Sequence, residues 1–326
     1  IFGISILLAQ DRHSLPLDLP QGGFMNGILI LDKPQGFTSF DAVAVLRGLA
    51  REKKIGHTGT LDPMATGVLP VLLGRAAKAL NFLPDTDKEY TAAFRLGERR
   101  DTGDITGQVV EESAAPVSQE ALEAALPAFR GEILQVPPMY SAVSVGGKRL
   151  YELARKGLEV ERQARPVTVS ALELLSYDAQ SREGRLRVAC SKGTYIRVLI
   201  EDIAKAAGSC GTMTALRRVR ACGFGEGDAR SLEELKALAA ESRLEEALLP
   251  VERLFGEYPA VWVSPAQAQR FQNGGALDLA RLRRVPPEGL CRVKGPQGLF
   301  LGLGRVEPEA GQLRFVKSFL EQEGTP

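Results

Sequence analysis

Histidine and cysteine are scarce in these 326 residues, and their placement closes off several kinds of chemistry. The two histidines, His13 and His57, stand far apart. Cys190, Cys210, Cys222 and Cys291 match neither a CxxC redox pair nor a paired zinc-ligand spacing. A metal site is therefore not expected, and reduced thiols suit a cytoplasmic protein. No GxGxxG turn leads from a strand into a helix and no GxxxxGK[ST] occurs, so nucleotide cofactors have no motif to bind. An excess of charge is also missing. The 41 Lys and Arg against 40 Asp and Glu leave +1, and any nucleic-acid contact must come from local clusters. The opening IFGISILLAQ is too short to cross a bilayer, follows no Lys or Arg and lacks an A-x-A cleavage pattern, so no membrane association is expected. Met25 is a candidate start, with residues 1–24 a poorly ordered extension outside the fold.

The remaining composition, 44% hydrophobic and 25% charged, is that of an ordinary globular chain, and its length suits two domains. GILILDKPQG reads as a short buried strand stopped by Pro34 and Gly36. Thr38 and Asp41 form a capping pair for a helix with Val43, Leu46 and Leu49 on one face. YTAAFRLG places Tyr90, Ala92, Phe94 and Leu96 on one side of a strand. RRDTGDITG reads as a polar loop, and Pro127 should end the helix of SQEALEAALPAF. GRLRVACSKG alternates again and feeds a helix striped by Ile196, Leu199, Ile200 and Ile203. Ser231 with Glu234 marks another capping box. Beyond about Tyr258 the pattern changes to short strands divided by Gly and Pro. One helix lies among them, capped by Ser264, opened by Pro265 and stopped at Gly274 and Gly275. The expected architecture is α+β with a small, separate, mostly β module at the C-terminal end.

The stretch GHTGTLDPMATGVLP, Gly56 to Pro70, holds one acid, one histidine and three glycines, with no Lys or Arg. Pro63 biases Asp62 away from helix, and the glycines let the backbone approach a bound group. Two readings of Asp62 remain open locally: an Asx-type turn bonding its own backbone, or a reactive carboxylate. Tyr195 and Arg197 stand at a strand-to-helix junction, where the arginine serves either as a surface charge or as the partner that keeps a carboxylate ionised. Tyr90 by default is a core aromatic and His57 a loop histidine. A second convincing carboxylate and a Ser/His/Asp set are missing, which disfavours a two-carboxylate glycoside hydrolase. The combination suits covalent catalysis by one carboxylate on a flat heterocycle held by stacking. Basic residues gather in three places: Lys148 to Arg165, Ala204 to Gly225, and RLRR at 281–284. Such a spread fits a long polyanion better than a small metabolite.

GILILDKPQGFTS, GHTGTLDPMATGVL, KEYTAAFRLGERRDTGD, PPMYSAVSVGGKRLYELARKG and CSKGTYIRVL follow one another in an order that resembles bacterial tRNA pseudouridine synthases of the TruB type. The resemblance covers roughly Gly27 to Gly223, with a weaker likeness of the tail to a PUA-like RNA-binding module. It implies a mixed, mainly antiparallel sheet with flanking helices over residues 25–255 and a PUA-like domain over 256–326. It also implies isomerisation of the uridine at position 55 in the TΨC arm of tRNA, with no cofactor. On this likeness Asp62 is the nucleophile, Tyr90 packs on the uracil and Arg197 pairs with the aspartate. His57, Tyr195 and Leu216 surround the flipped nucleotide. Lys33 and Pro34 support the catalytic loop, and Lys148, Arg149, Arg217 and Arg218 are candidates for the tRNA backbone.

Overall fold

The computed structural model describes residues 25–320, so the extension expected over residues 1–24 lies outside them. The main sheet runs, in spatial order, Gly27–Lys33, Thr66–Leu73, Gly211–Ala221, Lys88–Leu96, Glu183–Cys190, Arg165–Asp178 and Gly131–Gln135. Ile55–His57 pairs beside Thr66–Leu73, and Phe224–Gly225 beside Gly211–Ala221. Only the contact between Gly211–Ala221 and Thr66–Leu73 is parallel, which makes the sheet mixed but mainly antiparallel.

Two burial patterns follow from what covers each strand. Lys88–Leu96 alternates strictly, sending Tyr90, Ala92, Phe94 and Leu96 into the core. Gly27–Lys33 and Thr66–Leu73 are instead apolar on both faces. Leu29, Leu31, Leu69 and Val71 join the larger core, while Ile28, Ile30, Val68 and Leu72 join a second one behind the sheet. A strand covered on both sides gains from apolar residues at every position, at about 1.5–3 kcal/mol per fully buried large side chain.

The helices begin where their caps sit. Thr38 closes a capping box with Asp41 ahead of Ser39–Ala50, and Ser231 does so with Glu234 ahead of Leu232–Ala240. The Gln119–Ala125 helix gives way to a tighter turn over Leu126–Phe129, as Pro127 requires. Ile196–Ala206 lays Ile196, Leu199, Ile200 and Ile203 against the sheet. The RRDTGDITG segment is only partly a loop: Arg99 and Arg100 belong to Glu98–Arg100, which pairs with Val109–Glu112 and leaves the turns of residues 101–108 between.

A second sheet of five strands runs Ala260–Trp262, Gly289–Lys294, Phe300–Glu307, Gln312–Lys317 and Leu277–Asp278. The helix Pro265–Gln272 covers it, capped by Ser264 and Gln267. This module has its own core around Val261, Phe271 and Cys291 but is not detached. Phe255 stacks on Phe319 with ring centres 5.3 Å apart, and Leu303 and Phe319 share the second core with Ile28 and Ile30. The four cysteines are free and buried. Among the described residues no helix is long and apolar enough to cross a membrane, and no His, Cys, Asp and Glu side chains group as metal ligands.

Candidate active site

Asp62 sits in the connection between Ile55–His57 and Thr66–Leu73, and neighbouring segments fix that connection from several sides. Ser39 Oγ accepts from the Leu61 N–H at 2.8 Å and donates to the Leu61 carbonyl at 3.2 Å. The Gly36 N–H donates to the Pro63 carbonyl at 2.8 Å. Lys33 Nζ donates to the carbonyls of Pro34 and Phe37 at 2.9 and 2.6 Å, which shapes the turn that delivers Gly36. Lys33 is completely buried, and desolvation lowers its ammonium to about 8 although Asp62 nearby pulls it upward. Within the loop it is the Asp62 carbonyl that accepts from the Ala65 N–H, at 3.0 Å. The carboxylate is turned to another partner.

That partner is Arg197, whose Nη2 lies 3.1 Å from Asp62 Oδ2. The arginine is 5% exposed, whereas the aspartate side chain is 36% exposed, so the cation is fixed inside and the anion reaches outward. Arg197 Nη1 donates to the Thr102 carbonyl at 2.7 Å and Nη2 to the Tyr140 carbonyl at 2.9 Å. Its Nε faces Asp104 Oδ2 at 3.9 Å. Asp104 is itself held by the Thr102 hydroxyl at 2.9 Å and by the Thr106 N–H at 3.0 Å. A cation in the first turn of a helix works against the helix dipole. Arg197 nevertheless occupies the second position of Ile196–Ala206, and the two carboxylates and two carbonyls around it offset that cost. The residue before that helix, Tyr195, is anchored by Gln135: its N–H donates to Oε1 at 2.9 Å and its carbonyl accepts from Nε2 at 3.2 Å.

Tyr90 is 6% exposed, and desolvation drives its phenol up to about 12 while the neighbouring Arg218 guanidinium pulls the other way. His57 is lowered, first by burial and then by Arg218, so its ring stays neutral near pH 7. Leu216 is paired opposite Ala92, one step along the same face from Arg218, which is paired opposite Tyr90. Asp62, Arg197, Tyr90 and Lys33 therefore surround one locus, and His57 is tied to it through Arg218.

The basic candidates separate. Lys148 and Arg149 are exposed on a hairpin formed by Ser144–Val145 and Lys148–Arg149. Arg217 is held by Asp32 at 3.0 Å and by Glu226 at 2.6 Å. Arg218 is fully buried and is not a surface cation at all. Adjacent residues of a strand point to opposite faces, so Arg217 and Arg218 cannot both be presented to one polyanion. Sequence reading also missed Ser39, Asp104 and Gln135. Asp104 lay within the quoted DTGD, but nothing local shows that it backs Arg197.

Residues 47–196 match the family described as "TruB family pseudouridylate synthase (N terminal domain)". Residues 197–256 match "tRNA pseudouridylate synthase B C-terminal domain", and 259–314 match "Pseudouridine synthase II TruB, C-terminal". The chain is 46% identical over 300 residues to tRNA pseudouridine synthase B of Aromatoleum aromaticum, covering 91% of this chain and 92% of that protein. It is 41% identical over 299 residues to the Escherichia coli K12 protein of the same name, covering 89% and 94%. Among solved structures, a chain of a Cbf5-Nop10-Gar1 complex superposes with a TM-score of 0.69 at 26% identity, over 93% of this chain and 91% of that one. A chain from an H/ACA RNP bound to a substrate RNA containing 2'-deoxyuridine gives 0.70 at 24% identity, over 92% and 87%, a likeness of fold. Together these define the class, a pseudouridine synthase. Within it, the chain belongs to the TruB family.

Proposed function

We propose that this enzyme converts the uridine at position 55 of the tRNA TΨC arm to pseudouridine, with Asp62 as its single nucleophile. The observation that carries the reading is the Asp62–Arg197 pair, in which a partly exposed carboxylate is aimed by a buried guanidinium 3.1 Å away. Relatives named tRNA pseudouridine synthase B, matched over nearly their whole length, support tRNA as the substrate. The target base must first leave its stack, at a cost of a few kcal/mol. Tyr90 packs on the uracil and recovers part of that cost, since base–aromatic stacking contributes about 1–3 kcal/mol. His57, Tyr195 and Leu216 line the rest of the pocket. The Asp62 carboxylate bonds to the nucleotide and the bond from ribose carbon 1 to N1 breaks. The ring turns, carbon 5 bonds to the ribose and the bond to Asp62 breaks, freeing the carboxylate, while the proton lost from carbon 5 balances the one gained at N1. The reaction is an isomerisation, which calls for no redox cofactor, ATP or metal. Residues 25–255 carry the chemistry in a cytoplasmic enzyme, and residues 256–326 form a PUA-like RNA-binding module.

The test is to map pseudouridine at single-nucleotide resolution in an unmodified tRNA transcript treated with the purified protein. Product at position 55 alone in the TΨC arm is expected. An unmodified transcript, or release of free uracil, would remove the reading.

The exposed hairpin makes a second expectation. Lys148→Ala should weaken tRNA binding and reduce the slope of log affinity against log salt by about 0.7–0.9, the contribution of one phosphate contact. Binding titrations across a salt series measure this, and an unchanged slope takes Lys148 out of the interface.

A further inference from the structure

Arg218 is a cation kept where stability alone would not keep one. No part of it reaches solvent, and its two hydrogen bonds go to neutral carbonyls: Nε to Val68 at 2.7 Å and Nη2 to Gly59 at 3.2 Å. Nη1 is buried with no hydrogen-bond partner. Two further amines, Lys33 and Lys88, are buried close enough that Arg218 depresses both. Taking a charge out of water costs several kcal/mol unless a counter-charge and full hydrogen bonding repay it, and here the repayment is incomplete. Leu216, two residues back on the same face, shows that an apolar side chain fits this environment. Buried, incompletely satisfied charge of this kind marks function more than folding.

The backbone around Arg218 is also built to hold it still. Gly67, its parallel neighbour, has φ +101°, and a Cβ there would lie 2.2 Å from the Arg218 carbonyl oxygen. Across the other strand boundary Arg218 stands directly opposite Tyr90. Directly opposed residues of an antiparallel pair share a face, with Cβ atoms about 4.5–5.5 Å apart. The guanidinium thus donates to the Gly59 carbonyl, three residues before Asp62, and lies on the same face as Tyr90, near enough to pull its phenol down.

We propose that Arg218 is a positioning residue that couples the two active groups, clamping the loop of Asp62 through Gly59 while keeping a spare donor beside the Tyr90 phenol opposite it. The proposal rests on the roles given to Asp62 and Tyr90 above. A guanidinium fork does this where an ammonium cannot, because one planar group donates in three directions at once.

A double-mutant cycle tests it. Single-turnover rates of pseudouridine formation and tRNA affinities are measured for wild type, Arg218→Met, Arg218→Lys, Tyr90→Phe and the two double variants. Arg218→Met should slow the single-turnover rate about 10- to 100-fold, the scale of a lost charged hydrogen bond. Its tRNA affinity should stay near that of wild type. The same change should cost clearly less on the Tyr90→Phe background, where only the clamp on Gly59 is left to lose, and Arg218→Lys should recover part of the rate. Equal losses on both backgrounds, a loss confined to tRNA affinity, or a wild-type rate would each overturn the proposal. If thermal unfolding shows Arg218→Met to be unfolded, the Arg218→Lys cycle decides by the same criteria. An inactive wild type, or an active Asp62→Asn enzyme, would instead strike the functional reading, whatever the Arg218 cycle returns.

Discussion

Asp62→Asn is expected to lower pseudouridine formation by about 10⁴-fold or more, the scale seen when a residue acting in bond-making is removed. The fold and tRNA binding should remain. The substitution is isosteric and leaves an oxygen that can still accept from Arg197 Nη2, so the geometry of the pair survives without its charge. The loop does not depend on the carboxylate: Ser39 holds Leu61, Gly36 holds Pro63, and the Asp62 carbonyl holds Ala65. Arg197 keeps its bonds to Thr102 and Tyr140. Thermal stability should therefore change by no more than about 1 kcal/mol, as for most partly exposed substitutions. Removing a negative charge from the path of a polyanion should leave tRNA affinity equal or slightly higher. Single-turnover assays beside filter binding separate the two effects. Residual turnover within about 10-fold of wild type would mean that another group is the nucleophile.

The parts of this fold that were legible in the sequence are those whose cause is local. Thr38, Ser231 and Ser264 announce their helices because each cap and its reciprocal partner lie three residues apart. Tyr90, Ala92, Phe94 and Leu96 announce a strand because only one of its faces is covered. The module around Val261 and Phe271 was legible as a shift to short strands, but not its docking, since Phe255 meets Phe319 only after the chain has returned.

The active site divides in the same way. Asp62, Tyr90 and Arg197 stood out by residue type and family likeness, while their supports are joined by contacts that no local pattern encodes. Ser39 reaches Leu61 across 22 residues, Gln135 reaches Tyr195 across 60, and Arg197 reaches Thr102 across 95. The basic run at Arg217 and Arg218 misled because composition is blind to strand alternation. One arginine is neutralised by Asp32 and Glu226, and the other turns inward to Tyr90.

Arg197→Lys is the second large effect, an expected loss of about 10²–10³-fold in the single-turnover rate, comparable to removing one preorganised electrostatic donor. Charge alone would predict a mild change, because a lysine could still approach Asp62. Geometry predicts otherwise. One rigid guanidinium serves Asp62 at 3.1 Å, Tyr140 at 2.9 Å and Thr102 at 2.7 Å, and lies against Asp104 at 3.9 Å. A tetrahedral ammonium on a shorter, flexible stem cannot meet all of these together, and whichever contact it keeps, Asp62 loses its fixed direction. Arg197→Met separates orientation from folding. It leaves Asp104, whose side chain is 8% exposed, without its cation, and an unpaired buried carboxylate costs about 3–5 kcal/mol. The lysine variant should thus melt near wild type yet turn over slowly, whereas the methionine variant should lose both stability and turnover. A lysine enzyme with a near-normal rate would show that Arg197 supplies only charge, and the aim of the Asp62 carboxylate would then have to come from the loop itself.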